Sequence, residues 1–205
     1  TRESGLTQLN KKEMNLLYQV YGNIEAVNPL TPMQETMFLH NLYKEKPFLY
    51  IEQIVFTLEG KVDFSIFSKS WHEVVKHFSC LRTLFTSTSH GTPVQITKPS
   101  MEIPVNFHDL RIYKKARQIS EYRALLKQEK EQHSIEGKPP LIRLLLIQLK
   151  NKEYKLVLTF HHILFDGWSL VKIMKSMLTS YNQLISPPNK LYMEQAISSE
   201  PLEHM

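Results

Sequence analysis

The residues of this chain best suited to do chemistry lie in the run His161-His162-Ile163-Leu164-Phe165-Asp166-Gly167-Trp168-Ser169. Two adjacent histidines close a strongly apolar stretch, residues 156–160, that reads as a β-strand. Neighbouring strand residues point to opposite faces, so one imidazole is expected in the core and the other at the surface. An exposed imidazole beside an Asp-Gly turn is placed for proton transfer, since histidine ordinarily titrates near neutral pH. A His-His pair alone reads as one core and one surface histidine. The Asp-Gly turn and the start of an amphipathic helix at this spacing move the reading toward a site. The ligand types for a metal are present. However, adjacent strand histidines diverge, and no further Cys or His cluster completes a tetrahedral set. The sequence has no Gly-x-Ser-x-Gly, no phosphate loop and no dinucleotide fingerprint.

The elements that must position these residues are legible from caps and periodicity. Asn10 with Glu13 forms a capping box and Gly22 a C-cap, predicting a helix over Lys11–Tyr21 with Met14, Leu17 and Val20 on one side. Thr31, Pro32 and Gln34 start a second helix, expected to reach about Tyr43. Residues 53–59 alternate as a half-buried strand, with Ile54, Phe56 and Leu58 on one face. Asp63 caps a helix whose stripe (Phe64, Phe67, Trp71, Val74, Val75, Phe78) reads as core packing. Strands are expected over 81–86, 94–97 and 105–107, and a polar helix over 115–132. Residues 142–149 and 155–160 form a hairpin around Lys150-Asn151-Lys152-Glu153. A last helix over 169–184, capped by Ser169 with Trp168 before it expected as packing, is stopped by Ser186-Pro187-Pro188, and the tail after it has no periodicity. This is an α+β order, with helices packed on a mixed, largely antiparallel sheet.

The totals narrow the class. The chain has 205 residues, enough for a substantial core. Its net charge of +5 is dispersed, and no aromatic-plus-arginine platform appears, so nucleic acid is not an expected partner. The apolar stretch at 141–149 is broken by Arg143 and too short to span a bilayer, so no membrane role is expected. Cys80 is the single cysteine. It excludes an internal disulfide, reads as a small core residue and fits a reducing compartment. With no signal peptide in the sequence, the expected location is the cytoplasm.

His161-His162-x-x-x-Asp166-Gly167-Trp168-Ser169 resembles the HHxxxDG signature of condensation domains in nonribosomal peptide synthetases, which share a two-lobe fold with chloramphenicol acetyltransferase. The run Pro29-Leu30-Thr31-Pro32-Met33-Gln34-Glu35, with Met37 and His40, is similar to the family's first motif. Trp71 through Leu81-Arg82-Thr83-Leu84-Phe85 is similar to the second. Phe56-Thr57-Leu58-Glu59-Gly60 and Pro140-Leu141-Ile142-Arg143 also sit where family members have their like. One departure is His77-Phe78, where the family usually has Arg-His. The other is extent: the match covers 28–186, one lobe only. The resemblance therefore implies a linker from an upstream carrier domain at 1–27, the N-terminal lobe at 28–186, and a tail at 187–205 cut before the second lobe.

The implied activity is amide formation between a donor peptidyl thioester and an acceptor aminoacyl thioester, as in antibiotic biosynthesis. Both substrates would arrive on the 4'-phosphopantetheine arms of upstream and downstream carrier domains, with an adenylation domain nearby and no tightly bound cofactor. The resemblance gives His162 the catalytic position and His161 the inward supporting one. It pairs Asp166 with Arg143 as an ion pair holding the loop. Apart from the resemblance, the Gly167 amide near the start of the last helix is placed to face an oxyanion, and glycine permits a backbone shape other residues resist. Leu30 to Gln34 and the Tyr50-Ile51-Glu52-Gln53 region resemble members that accept a D-configured donor. His161 departs from the cyclising subtype, which carries Asp there. Two other readings stand beside this one: a non-catalytic docking lobe, and an oligomeric coenzyme-A-dependent acyltransferase.

Overall fold

A computed structural model describes residues 9–42, 49–132, 140–185 and 190–196. The expected helix end at Tyr43 and the Ser186-Pro187-Pro188 stop lie outside them. The main body is a five-stranded sheet built from β2 (Ile51–Glu59), β5 (Val105–Asp109), β6 (Ile142–Lys150), β7 (Glu153–His161) and β8 (Tyr192–Ala196), in the order β5-β6-β7-β2-β8. The hairpin β6–β7 pairs antiparallel, with Ile142 opposite Phe160, and β7 pairs antiparallel with β2, with His161 opposite Ile51. β5 runs parallel to β6. A parallel pair needs a crossover, and α4 (Lys115–Glu131) supplies it.

Side-chain alternation sorts each central strand between two cores. Leu144, Leu146, Leu156, Leu158 and Phe160 face α3 (Phe64–His77) and α5 (Gly167–Leu184), against Phe67, Trp71, Ile173 and Tyr181. Leu145, Ile147, Val55 and Val157 face Tyr122 of α4. This double coverage explains why β6 reads as a continuous apolar run. Complete burial of side chains such as Phe67 and Tyr181 stabilises the fold by about 1.5–3 kcal/mol each.

A second sheet, in the order β1-β4-β3, joins β1 (Ala26–Pro29), β4 (Pro93–Thr97) and β3 (Thr83–Ser87). α1 (Lys11–Tyr21) packs on it through Leu17, against Leu84, Val94 and Ile96. The capping box at Asn10 and Glu13 is present as expected, whereas Val20 is exposed. The described part of the expected linker is thus folded onto this sheet.

Three further expectations change. Residues 79–82 form a 3-10 turn ahead of β3. There Arg82 is buried, donating to the carbonyls of Val75 and Lys98 and pairing with Glu25. The tail contains β8, which adds to the edge of β2 and buries Leu191. That strand exists because an edge was waiting for it, which no local periodicity records. Finally, α5 begins at Gly167, capped by Asp166 and not by Ser169.

Candidate active site

The two histidines stand at the end of β7, where the strand gives way to the loop that enters α5. Alternation sends His161 into the body, where it is fully buried. Its Nδ1 accepts the Ile163 backbone N–H at 3.1 Å. A backbone N–H can only donate, so Nδ1 carries no proton and the ring is held in one orientation. The Asn41 carboxamide lies 3.0 Å from His161 Nε2.

His162 turns the other way. Its side chain is half-buried and lines an open cleft of about 180 Å³. Its Nδ1 is shielded and meets no hydrogen-bond partner among the described residues. Its backbone N–H donates to the Tyr50 carbonyl at 2.8 Å.

The opposite wall of the cleft is α2 (Pro32–Leu42), contributing Met33, Gln34 and Met37, with Thr31 just before it. The expected capping box forms here: Gln34 Oε1 accepts the Thr31 N–H and Thr31 Oγ1 accepts the Gln34 N–H. The same Gln34 side chain donates from Nε2 to the Ile163 carbonyl at 3.2 Å. One residue therefore starts the helix and ties it to the histidine loop.

Asp166 is exposed at the rim, and its Oδ1 accepts the Ser169 backbone N–H at 2.8 Å. Hydrogen bonds from that N–H and from the Ser169 side chain hold the carboxyl below its usual range. Gly167 is the first residue of the helix. The amides of Gly167 and Trp168 make no hydrogen bond among the described residues. Both sit at the positive end of the α5 dipole, beside the cleft that Asp166 lines.

Three sequence expectations are corrected here. Arg143 does not hold Asp166. Its Nε donates to Glu129 Oε2 of α4 at 2.8 Å, and the Glu129 carboxylate is nearly buried. The physical reason is strand parity. Arg143 lies between Ile142 and Leu144, which face the α3–α5 side, so it points to the α4 side. Asp166 opens α5 on the other face. Gly167 does not use glycine's special backbone freedom: among the described residues the positive-φ glycines are Gly22, Gly60 and Gly91. A Cβ at Gly167 would meet nothing within 4 Å. Trp168, expected as packing, is 83% exposed.

The structure also brings in residues that sequence reading missed or left without a role. Asn41 and Tyr50 reach the histidine pair only through the fold, and His40 touches Tyr50. Tyr50 has a positive φ of 67°, a conformation that L-residues resist. No composition signal at Tyr50 announces it. Among the described residues, no group of three or more His, Cys, Asp or Glu side chains forms a metal site, and no helix is long and apolar enough to cross a membrane.

Known proteins share both this sequence and this architecture. The family model described as "Condensation domain" matches residues 24–193. Tyrocidine synthase 2 of Brevibacillus parabrevis is 31% identical over 180 residues, covering 88% of this chain and 5% of that protein. Bacitracin synthase 1 of Bacillus licheniformis is 31% identical over 183 residues, covering 88% of this chain and 4% of that protein. The chain thus spans a small part of the curated relatives it matches. Among solved structures, the first condensation domain of the calcium-dependent antibiotic synthetase superposes with a TM-score of 0.71 at 17% identity, covering 79% of this chain and 40% of that one. That likeness bears on the fold, an α+β lobe of the same architecture. The family model's match over most of the chain places it in the condensation-domain family, and the chain spans 40% of the superposed condensation domain.

Proposed function

We propose that this lobe provides the histidine wall of a condensation site, where the amine of a carrier-bound aminoacyl thioester attacks the carbonyl of a carrier-bound peptidyl thioester. The N–C bond forms, the carbonyl oxygen takes the developing negative charge, and the C–S bond then breaks to release the pantetheine thiol. The amine loses one proton, and the departing sulfur gains one. His162 is the group that meets the amine, either taking its proton or orienting it by a hydrogen bond. Holding the two reactants in attack geometry is worth several kcal/mol by itself. The unpaired Gly167 amide at the N-terminus of α5 is the donor this lobe offers to the oxyanion. His161 and Gln34 hold the loop that carries His162. Asp166 acts through the helix cap.

The observation that carries this reading is the half-exposed His162 ring on the α2 cleft, next to a helix N-terminus with unpaired amides. The relatives are named as synthases of tyrocidine and bacitracin and are many times longer than this chain, which supports carrier domains and an adenylation domain as partners in one polypeptide. Carrier domains on both sides, one of them preceding 1–27, and a donor with a D-configured last residue belong to the same proposal. His162→Ala in the complete domain is expected to lower dipeptide formation on loaded carriers by several orders of magnitude. Near-normal condensation by that variant would remove His162 from the chemistry.

A further inference from the structure

We infer that Tyr50 and His40 are positioning residues for His162, acting through a brace between α2 and the end of β7. This rests on the reading that His162 is the reacting group.

The brace is built at consecutive points. The Tyr50 carbonyl accepts the His162 backbone N–H at 2.8 Å, just beyond the last β2–β7 pair, Ile51 with His161. Tyr50 can present that carbonyl because its φ is 67°. It is the one non-glycine residue with positive φ among those described. Such conformations persist only where surrounding contacts determine them. Here the contacts are visible. Tyr50 Oη lies 2.8 Å from His40 Nδ1 and the two rings stack 6.1 Å apart. The Tyr50 ring also rests against His161, with centroids 6.0 Å apart. His40 sits on α2 one residue before Asn41, which faces His161 Nε2, and less than two turns after Gln34, which bonds the Ile163 carbonyl. α2 therefore holds residues 161, 162 and 163 in turn: Asn41 on the first, His40 through Tyr50 on the second, Gln34 on the third. Neither Tyr50 nor His40 lines the cleft. Their effect is on where the His162 ring stands.

Backbone conformation at Tyr50 gives the test its specificity. Glycine accepts a positive φ without strain, whereas a β-branched residue resists it. In the complete domain with loaded carriers, Tyr50→Gly, which loses the side-chain contacts but keeps the backbone shape, is expected to lower kcat about threefold, and Tyr50→Val, which loses both, about tenfold or more. KM for the carriers should stay unchanged in both. If Tyr50 served only as packing, valine would outperform glycine, and that order would overturn the proposal. So would an effect confined to KM. If Tyr50→Val does not fold, Tyr50→Phe and His40→Leu read the same link: each is expected to lower kcat about threefold, with the double variant no worse than either single one. Full activity in both, or additive losses, would overturn the proposal. His162→Ala, run alongside, separates the two ideas. An inactive His162→Ala with unaffected Tyr50 and His40 variants sinks the brace and leaves the reading of His162 standing. An active His162→Ala sinks both.

Discussion

Asp166 shows how far a residue's role depends on its partner. Sequence resemblance assigned it an arginine; the structure assigns it the Ser169 N–H at the start of α5. The carboxyl ordinarily titrates near 3.8 and is lowered here. A carboxyl with a depressed folded pKa contributes stability that is present above its unfolded pKa and lost as pH falls through the folded one. Thermal midpoints measured between about pH 5 and pH 2 should therefore fall more steeply for the native chain than for Asp166→Asn. Asparagine caps helices comparably well without the charge, so near neutral pH the two proteins should melt closer together. A titratable contribution from an Asp166–Arg143 pair would instead vanish in Arg143→Met as well. Glycine at 167 is required neither by backbone conformation nor by neighbouring atoms within the described structure, which leaves the open side of that residue available to reactants.

At the scale of elements, the decisive fact is which face of the sheet each helix covers. α4 lies over Arg143, so this arginine serves the crossover and not the histidine loop. Glu129 is nearly buried, and Asn106 also donates to it at 3.2 Å. Arg143→Ala removes the cation beside this carboxylate, which keeps its other contacts, so it is expected to cost about 1–2 kcal/mol in chemical denaturation. The position of His162 should be untouched, so condensation per folded domain should stay near native. A loss of kcat without a loss of stability would return Arg143 to the site. α2 is the element with most bearing on the chemistry. Its cap was legible at Thr31, Pro32 and Gln34, yet its contacts to residues 161–163 span more than a hundred residues of sequence.

For the whole molecule, the open cleft has one wall of α2 and one of the histidine loop, and the N-terminus of α5 lies beside it. A reaction joining two carrier-bound substrates needs them enclosed and aligned from both sides. The isolated 205-residue chain is accordingly expected to give no turnover with loaded carriers, and adding the complementary lobe in trans should restore some. Steady turnover by the chain alone would show that this wall suffices. The same scale explains the two short strands near the ends of the described chain. β1 exists because β4 offers a partner, and β8 because β2 offers an edge. Neither short strand carries a period strong enough to declare itself.

From residue types alone came the helices, with the caps of the first three, the apolar hairpin, the α+β class, and the divergence of His161 from His162. Each follows from interactions within a few residues of the chain or from the two-residue period of a strand. The partner of Arg143, the strained turn at Tyr50, the contacts of α2 with residues 161–163, and the strands at the two ends were settled only in three dimensions. Each of those depends on which surface lies opposite, and that is a property of packing between elements far apart in the chain.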